Sequence, residues 1–372
     1  MATITYKCPN CDGGLTFDPS TQKYHCEYCL SDFTQAELDA LAPAAASEAN
    51  AEPEGAVAPE EAGAAAGNTD SVPHAGATAG RQGPLLYTCP SCGAEIVTDS
   101  TTAATFCYYC HNPVVLAGKF EGGYQPDFVI PFQIDRKRAQ EIFSQWIGKK
   151  IFVPREFYSP KQIETMTGVY FPYWLYGCKV DGSVDAQGTS LRVWRSGNMR
   201  YTETKIYDVK RSGTVDVGNV ARNALKKANR RLVDGVQPFE MNQAQQFSMG
   251  YLSGFLAENR DMEREAFRME LAQEVKDFAL SGLRSYGTAY DRVQVKSQRA
   301  EVRDEYWQYA LLPVWTLTYR PRKDGKIYYF ALNGQTGKIC GELPVDMKRM
   351  AILFSGIFLP LLVILLTMGY LI

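Results

Sequence analysis

Regularly spaced apolar residues predict three helices in the part of the chain after residue 118. Residues 133–147 form the first helix, and Asp135 stands at the position of its N-cap. Its apolar face consists of Ala139, Ile142, Phe143 and Trp146. Residues 220–233 predict a basic helix and residues 262–283 a longer one. The apolar positions of the longest helix are Met262, Phe267, Leu271, Val275 and Phe278.

Strands are predicted where Tyr, Trp, Val and Ile are dense. These segments are 167–184, 191–209, 292–302, 307–319 and 326–332. A turn that begins at Asn333 and Gly334 then returns the chain through 338–340 as a hairpin. The order of helices and strands indicates an α+β domain over 119–347 with a mixed, largely antiparallel sheet.

The last residues follow a third pattern, because 351–372 contain no charged residue. A helix rising ~1.5 Å per residue would cover about 33 Å there, enough to cross the hydrocarbon core of a bilayer. Residues 348–372 are therefore predicted to be a transmembrane anchor. Lys348 and Arg349 precede it, and the N-terminus shows no signal peptide. The prediction is a tail-anchored protein of the cell membrane with its bulk in the cytoplasm.

Residues 39–84 have neither helical nor strand periodicity. They are rich in Ala, Gly, Pro and Glu, with no aromatic residue. Such a segment cannot bury enough apolar surface to offset the entropy of ordering it. We interpret it as a flexible, mildly acidic linker; the alternative is helix in its alanine runs, which Pro and Gly keep short.

Eight of the ten cysteines form two blocks, 81 residues apart. Each block is a CxxC pair, fourteen residues, and a second CxxC pair. The cysteines are Cys8, Cys11, Cys26 and Cys29 in the first block and Cys89, Cys92, Cys107 and Cys110 in the second. Flanking residues also match, for example Tyr6 with Tyr87 and Asp18 with Asp99, so the repeat indicates an internal duplication.

This spacing predicts two structural zinc ribbons, at 1–38 and 85–118. Each CxxC turn presents two sulfurs to one ion, and two turns complete a tetrahedral Zn²⁺ site without an open position. The predicted cofactors are two structural Zn²⁺ ions. A redox CxxC would need a βαβ context, and an iron–sulfur cluster remains a minor alternative. His25 and His111 adjoin cysteines, but each site already has four ligands.

Cys178 and Cys340 are isolated among apolar residues and are interpreted as buried, inert thiols. His74 lies in the linker and has no predicted role.

Charge is distributed unevenly between the two parts of the chain. Residues 1–118 contain three basic and fourteen acidic residues, a balance of −11, whereas 119–350 contain 36 basic and 27 acidic residues, a balance of +9. The second ribbon has no Lys or Arg, so nucleic-acid binding by the ribbons is not expected. The basic segment Arg222, Lys226, Lys227, Arg230 and Arg231 is either a solvated helix face or a contact to anionic lipid.

No catalytic motif is present: the chain contains no GxSxG, P-loop, HExxH or GxGxxG pattern and only three histidines. The prediction is a non-enzyme without a small-molecule substrate. The alternative, a membrane-bound enzyme with an unrecognised site in 119–350, would need a polar cleft in that domain.

The CPxC…CxYC repeats resemble TFIIB-type and rubredoxin-like zinc ribbons. Four phrases extend the likeness, namely IPFQIDRKRAQEIFSQWI, GVYFPYWLYGC, LLPVWTLTYR and YYFALNGQTGKICGELP. Over 86–350 and the anchor, the chain resembles a bacterial family of zinc-ribbon membrane proteins. Some members are similar to the zinc-ribbon component of envelope-stress loci linked to phage-shock protein A. The resemblance implies a membrane complex with stomatin-like and phage-shock proteins.

Together these patterns predict a tail-anchored adaptor in which the zinc ribbons make protein–protein contacts, in an envelope-stress response. Some proteins of the resembling family are labelled as replication proteins. The alternative function is therefore a membrane-associated, nucleic-acid-binding factor of a replication-like kind. The two functions differ in the salt dependence of nucleic-acid binding, which only the second requires.

Overall fold

A computed structural model describes residues 3–41, 85–120, 124–285, 290–321 and 326–371. Within these residues the chain is a mixed α/β protein with one large mixed sheet, six helices, two four-cysteine clusters and one C-terminal apolar helix. The predicted fold class is confirmed. Most of the predicted linker lies outside the described residues, and its first three residues, 39–41, end a helix.

The elements of the two ribbons are β1 (Leu15–Asp18), β2 (Lys23–Cys26), β3 (Asp32–Phe33), α1 (Gln35–Leu41), β4 (Leu85–Thr88), β5 (Glu95–Thr98), β6 (Thr102–Phe106) and β7 (Pro113–Val115). Those of the larger domain are β8 (Phe128–Val129), α2 (Arg136–Gly148), α3 (Pro160–Ile163), β9 (Thr167–Ser196), β10 (Met199–Asn223), α4 (Arg230–Gly235), β11 (Gln245–Gln246), β12 (Leu256–Glu258), α5 (Glu265–Arg284), β13 (Arg292–Tyr319), β14 (Tyr328–Asn333) and β15 (Ile339–Gly341). Helix α6 (Met347–Leu371) follows.

Ten strands form one sheet in the order β11-β8-β13-β9-β12-β6-β7, with β10 on β9 and with β14 and β15 extending from β13. The first ribbon has its own sheet, β1-β2-β3, and β4 pairs with β5. Strand β12 runs parallel to β9 and antiparallel to β6. Backbone pairing therefore continues from the larger domain into the second ribbon.

Aromatic residues fill the core beside strands β9 and β13. Phe132 is fully buried and stacks on Phe255 at 4.2 Å between ring centroids. Trp315 and Tyr170 meet the same ring edge-on at 5.1 and 5.0 Å. Edge contacts of this kind add to the free energy gained by burying the rings.

Strands β9, β10 and β13 continue far beyond this core. The part formed by 177–217 and 292–306 is named the arm. Strand β9 has 30 residues and β10 has 25, and they pair almost throughout as one hairpin whose turn contains Gly197. The predicted segments 167–184 and 191–209 were therefore wrong in their boundaries. The prediction did not include residues 185–190 in a strand because their inward-facing side chains are small, as at Ala186, and leave no apolar pattern.

The predicted segments 292–302 and 307–319 are also one strand, β13. Its register against β9 shifts between Arg303 and Tyr306, and Asp304 between them has a φ of 52°. This is a bulge, which bends a strand without ending it. Residues 303–306, which separate the two predicted segments, form this bulge.

Helix α5 covers one face of the arm and confirms the longest predicted helix. Its buried side chains are Phe267, Leu271, Val275, Ala279 and Leu280. Phe278 is 62% exposed, so its predicted place in the apolar face was wrong. The smaller Ala279 and Leu280 point to the sheet instead. Helix α2 is also confirmed, with the Asp135 side chain accepting a hydrogen bond from the Arg138 N–H.

The predicted basic helix 220–233 is not present as such. Residues up to Asn223 finish strand β10, and the helix that follows, α4, has only six residues. Val220 and Ala221 pair with Tyr176 and Leu175 of the neighbouring strand. This pairing outweighs the local preference of the segment for helix.

Helix α6 is long and apolar enough to span a membrane over Met347–Met368. Every side chain from 351 to 368 is exposed. Pro360 lies inside the helix without ending it.

Candidate metal centres

Four turns with the same backbone geometry hold the eight predicted cysteines. In each turn, the N–H of the first cysteine donates to the carbonyl five residues later. The N–H four residues after that cysteine donates back to the cysteine's own carbonyl. The first cysteines are Cys8, Cys26, Cys89 and Cys107. This repetition confirms at the structural level that the two blocks are built alike.

The fourth residue after each first cysteine adopts a left-handed backbone. These residues are Asp12, Leu30, Gly93 and His111, with φ between 58° and 75°. Only one of the four is glycine, the residue that tolerates such a φ without cost. A strained backbone persists where surrounding structure enforces it, and the turn around the paired sulfurs does so here.

The sulfurs of each block converge on one point. All four Sγ atoms of a block lie within 4.8 Å of one another. Cys8 and Cys29 are 3.4 Å apart and Cys11 and Cys26 are 3.5 Å apart, while both corresponding pairs in the second block are 3.7 Å apart. A tetrahedral Zn²⁺ with bonds of ~2.3 Å would place its sulfurs about 3.8 Å apart. A disulfide needs about 2.0 Å, so the geometry fits a metal and not disulfides.

The thiols of each block also differ in acidity. Hydrogen bonds with the side chain and backbone of Ser31 lower the pKa of Cys29 to about 6. Burial raises the pKa of Cys110 to about 12, and hydrogen bonds with neighbouring sulfurs contribute. Four thiolates so close together require a cation to coexist, which is the role that a divalent metal would have.

Histidines do not belong to either cluster in the described residues. His25 instead contacts Asp32, with 2.7 Å between its Nδ1 and the carboxylate oxygen. Of the two isolated cysteines, Cys178 is buried as predicted, whereas Cys340 is only partly buried. His74 lies outside the described residues.

The first ribbon packs directly on the rest of the protein. Phe17 donates its N–H to the Ser253 carbonyl at 2.9 Å, and the Ser253 hydroxyl donates to the Leu15 carbonyl. The Phe17 ring meets Tyr251 edge-on at 5.3 Å. Ile4 forms a two-way backbone pair with Val115 in β7. The first ribbon is thus held by both the larger domain and the second ribbon.

The five predicted basic residues lie between the end of β10 and the start of α4. Four of them contact acidic residues of the same chain. Arg222 is only 14% exposed and pairs with Glu274 on α5. The other contacts are Lys227 with Asp99 and Glu258, Arg230 with Asp234 and Glu270, and Arg231 with Glu342. Lys226 is exposed. These ion pairs join the second ribbon, α5 and β12, so most of this charge is compensated within the fold.

The sequence reasoning missed one surface, the end of the arm, which we name the hairpin tip (residues 190–207). Its apolar residues are exposed: Leu191, Val193, Trp194, Met199, Tyr201, Ile206 and Tyr207. Arg192, Arg195, Arg200 and Lys205 stand among them, against one acidic residue, Glu203. The pair Gly197-Asn198 between two β-rich runs was the available signal of a tight hairpin.

A search of known proteins finds a similar chain, the uncharacterized protein YdjG of Bacillus subtilis. It is 29% identical over 338 aligned residues, which cover 77% of this chain and 98% of that protein. No family model and no solved structure matches the chain.

Proposed function

We propose that this protein is a membrane-anchored adaptor that faces the cytoplasm and has no enzymatic activity. Two Zn²⁺ ions would stabilise the ribbons, and α6 would hold the protein in the cell membrane. The observation that carries the proposal is the hairpin tip, an exposed apolar and basic surface at the end of the arm.

The metal sites support a structural role. Four protein sulfurs fill the coordination sphere of Zn²⁺, so no position remains for water or substrate. The first cysteine of every pair is buried, and the clusters stand between strands and turns that they hold together. A small ribbon depends on its metal for much of its folding free energy.

Helix α6 supports the anchor. Its exposed side chains are almost entirely apolar, for example Ile352, Leu361 and Leu366. Such a surface is stable in hydrocarbon, because exposing it to water would cost ~25 cal/mol for each Å² of apolar area. Lys348 and Arg349 at its start favour a cytoplasmic location for the preceding domain.

The composition of the hairpin tip supports protein contacts. Trp, Tyr, Met and Arg are enriched at protein interfaces and supply most binding hot spots. Trp194 and Tyr201 stack across the hairpin at 5.6 Å, and Arg192 lies over the Trp194 ring at 5.7 Å. Contacts that are already formed in the unbound protein lower the entropy cost of binding.

The resemblance to envelope-stress components suggests the partners, stomatin-like and phage-shock proteins. Nucleic acid is a less favourable partner for the ribbons, since the second ribbon lacks Lys and Arg and each tetrathiolate site adds negative charge. The same experiment tests the alternative, a nucleic-acid-binding factor, because nucleic acid would then be recovered with the protein.

The test is affinity purification of the full chain from membranes in mild detergent, followed by mass spectrometry and an absorbance ratio for nucleic acid. We expect stomatin-like or phage-shock proteins with the wild type and at least tenfold lower recovery with Trp194→Ala/Tyr201→Ala. Truncating two central interface aromatics commonly costs more than ~2 kcal/mol of binding free energy.

The matched control is Asp208→Ala/Lys296→Ala, which removes an exposed ion pair from the arm but leaves the tip unchanged. It should retain the partners. Recovery of nucleic acid that persists at moderate salt would contradict the adaptor function, as would partners that bind both variants equally.

A further inference from the structure

Beyond the anchor itself, a loop distant in sequence lies beside the start of α6. This loop, residues 149–153, follows the end of α2. Asp346 donates its N–H to the Phe152 carbonyl at 2.7 Å, and the Arg349 guanidinium donates to the Val153 carbonyl at 3.2 Å. These two hydrogen bonds fix the loop to the first turn of the helix.

The Asp346 side chain organises this junction. Its carboxylate accepts hydrogen bonds from the N–H groups of Lys348 and Arg349 and forms an ion pair with the Arg349 side chain at 3.2 Å. One acidic group therefore caps α6 and compensates Arg349. Lys348 remains exposed.

The surface of the loop is both apolar and basic. Ile151 is 71% exposed at its apex, and Lys149 and Lys150 beside it are exposed as well. Lys150 lies 5.4 Å from the centroid of the Trp146 ring. On the other side of a shallow apolar groove of about 310 Å³ stands Val345, which is also exposed.

We propose that this surface, named the juxtamembrane collar (Lys149, Lys150, Ile151, Val345 and Lys348), binds anionic lipid headgroups of the bilayer that α6 crosses. The inference rests on the proposed membrane anchor, because only then does the start of α6 lie at a lipid surface. The hydrogen bonds to α6 place the collar at the depth of the headgroups. An apolar apex flanked by lysines matches that boundary, with Ile151 toward the acyl chains and the ammonium groups toward phosphate.

This surface differs from the basic segment that the sequence had suggested. The lysines of the collar have no ion pair within the described residues, whereas most of that segment is paired with carboxylates. Uncompensated charge next to the anchor is the better candidate for lipid, since electrostatic attraction falls off within about 10 Å.

The experiment is a titration of the purified full chain, in detergent, with phosphatidylglycerol or phosphatidylcholine, read by native mass spectrometry. For the wild type we expect tighter binding of phosphatidylglycerol. Lys149→Glu/Lys150→Glu should lower that affinity about tenfold or more and leave phosphatidylcholine binding unchanged. The control Lys226→Glu/Arg231→Glu changes the same charge in the other basic segment and should bind like the wild type.

Equal affinity of the wild type for both lipids, or an equal loss in both variants, would overturn the assignment. Amide hydrogen exchange of residues 147–153 in nanodiscs gives a second readout, with greater protection expected when phosphatidylglycerol is present. Failure of the anchor itself is distinguishable, because the full chain would then leave the membrane fraction when cells are broken in buffer without detergent.

Discussion

At the scale of residues, the metal sites are the part of this protein whose chemistry is most local. Each CxxC turn is five or six residues long and makes its own backbone hydrogen bonds, whatever the rest of the chain does. Asp12, Leu30 and His111 accept a left-handed backbone in these turns. The strain is consistent with a metal that would compensate for it on binding.

One prediction at this scale concerns metal content. The wild-type full chain should contain two Zn²⁺, and Cys107→Ser should contain one, since three sulfurs bind Zn²⁺ far more weakly than four. The measurement is elemental analysis of the purified protein. Cys340→Ser is the control and should retain two ions, because Cys340 belongs to neither cluster. Iron in the wild-type protein, or a lower metal content in the control, would refute the assignment.

At the scale of elements, the arm depends on helix α5. A three-stranded sheet with both faces in water has little to stabilise it, and α5 supplies the missing apolar face. Glycines allow the close approach: a Cβ on Gly182 would lie 2.7 Å from the Leu283 side chain. A bulkier residue there would require the Leu283 side chain to move.

The expected effect of Leu271→Ala is a loss of ~2–5 kcal/mol in the free energy of unfolding, because Leu271 is fully buried between α5 and the arm. Denaturant unfolding of the full chain in detergent measures it. Met269→Ala lies on the same helix and is 87% exposed, so it should change the free energy by no more than about 0.5 kcal/mol. Similar effects of both substitutions would show that α5 does not pack as described.

At the scale of the whole molecule, the ribbons and the larger domain share one structure. Strands β6 and β12 continue the main sheet into the second ribbon, and Phe17, Tyr24 and Tyr251 join the first ribbon to the core. Loss of metal from the first ribbon should therefore also destabilise the part of the core that the ribbon contacts. The hairpin tip is at the far end of strand β9, whose 30 residues are about 100 Å long at ~3.3 Å per residue.

Buried tyrosines throughout the molecule predict how its stability depends on pH. Burial raises the pKa of Tyr24, Tyr170, Tyr173 and Tyr309. The folded-state pKa exceeds the unfolded value of about 10, so the stability that these groups contribute is complete below pH ~10 and is lost as the pH rises further.

The measurement is phenolate absorbance against pH, with circular dichroism recorded in parallel. We expect these four tyrosines to ionise in one step together with unfolding, at a pH above the value of about 10 that applies to the unfolded chain. A Tyr309→Phe variant should show a smaller step. Complete ionisation of all tyrosines while the dichroism stays unchanged would contradict the burial described.

The sequence by itself determined the features whose physics is local. Four cysteines at CxxC spacing can be brought to one ion by two short turns, and an uncharged run of 22 residues is long enough for a bilayer without reference to any other segment. Helices α2 and α5 were also predictable, since the spacing of apolar residues along an amphipathic helix indicates which side is buried.

Only the tertiary structure decided what depends on partners distant in the chain. Strand β9 runs through 185–190 because β10, β13 and α5 supply pairing and cover, and Val220 belongs to a strand because Tyr176 lies beside it. The charge of Arg222 is compensated by Glu274, 52 residues away, while the lysines of the collar form no ion pair with any residue that the structure describes. Neither spacing nor composition contains these pairings, because they arise only when the chain closes on itself and each group competes for the neighbours that the fold provides.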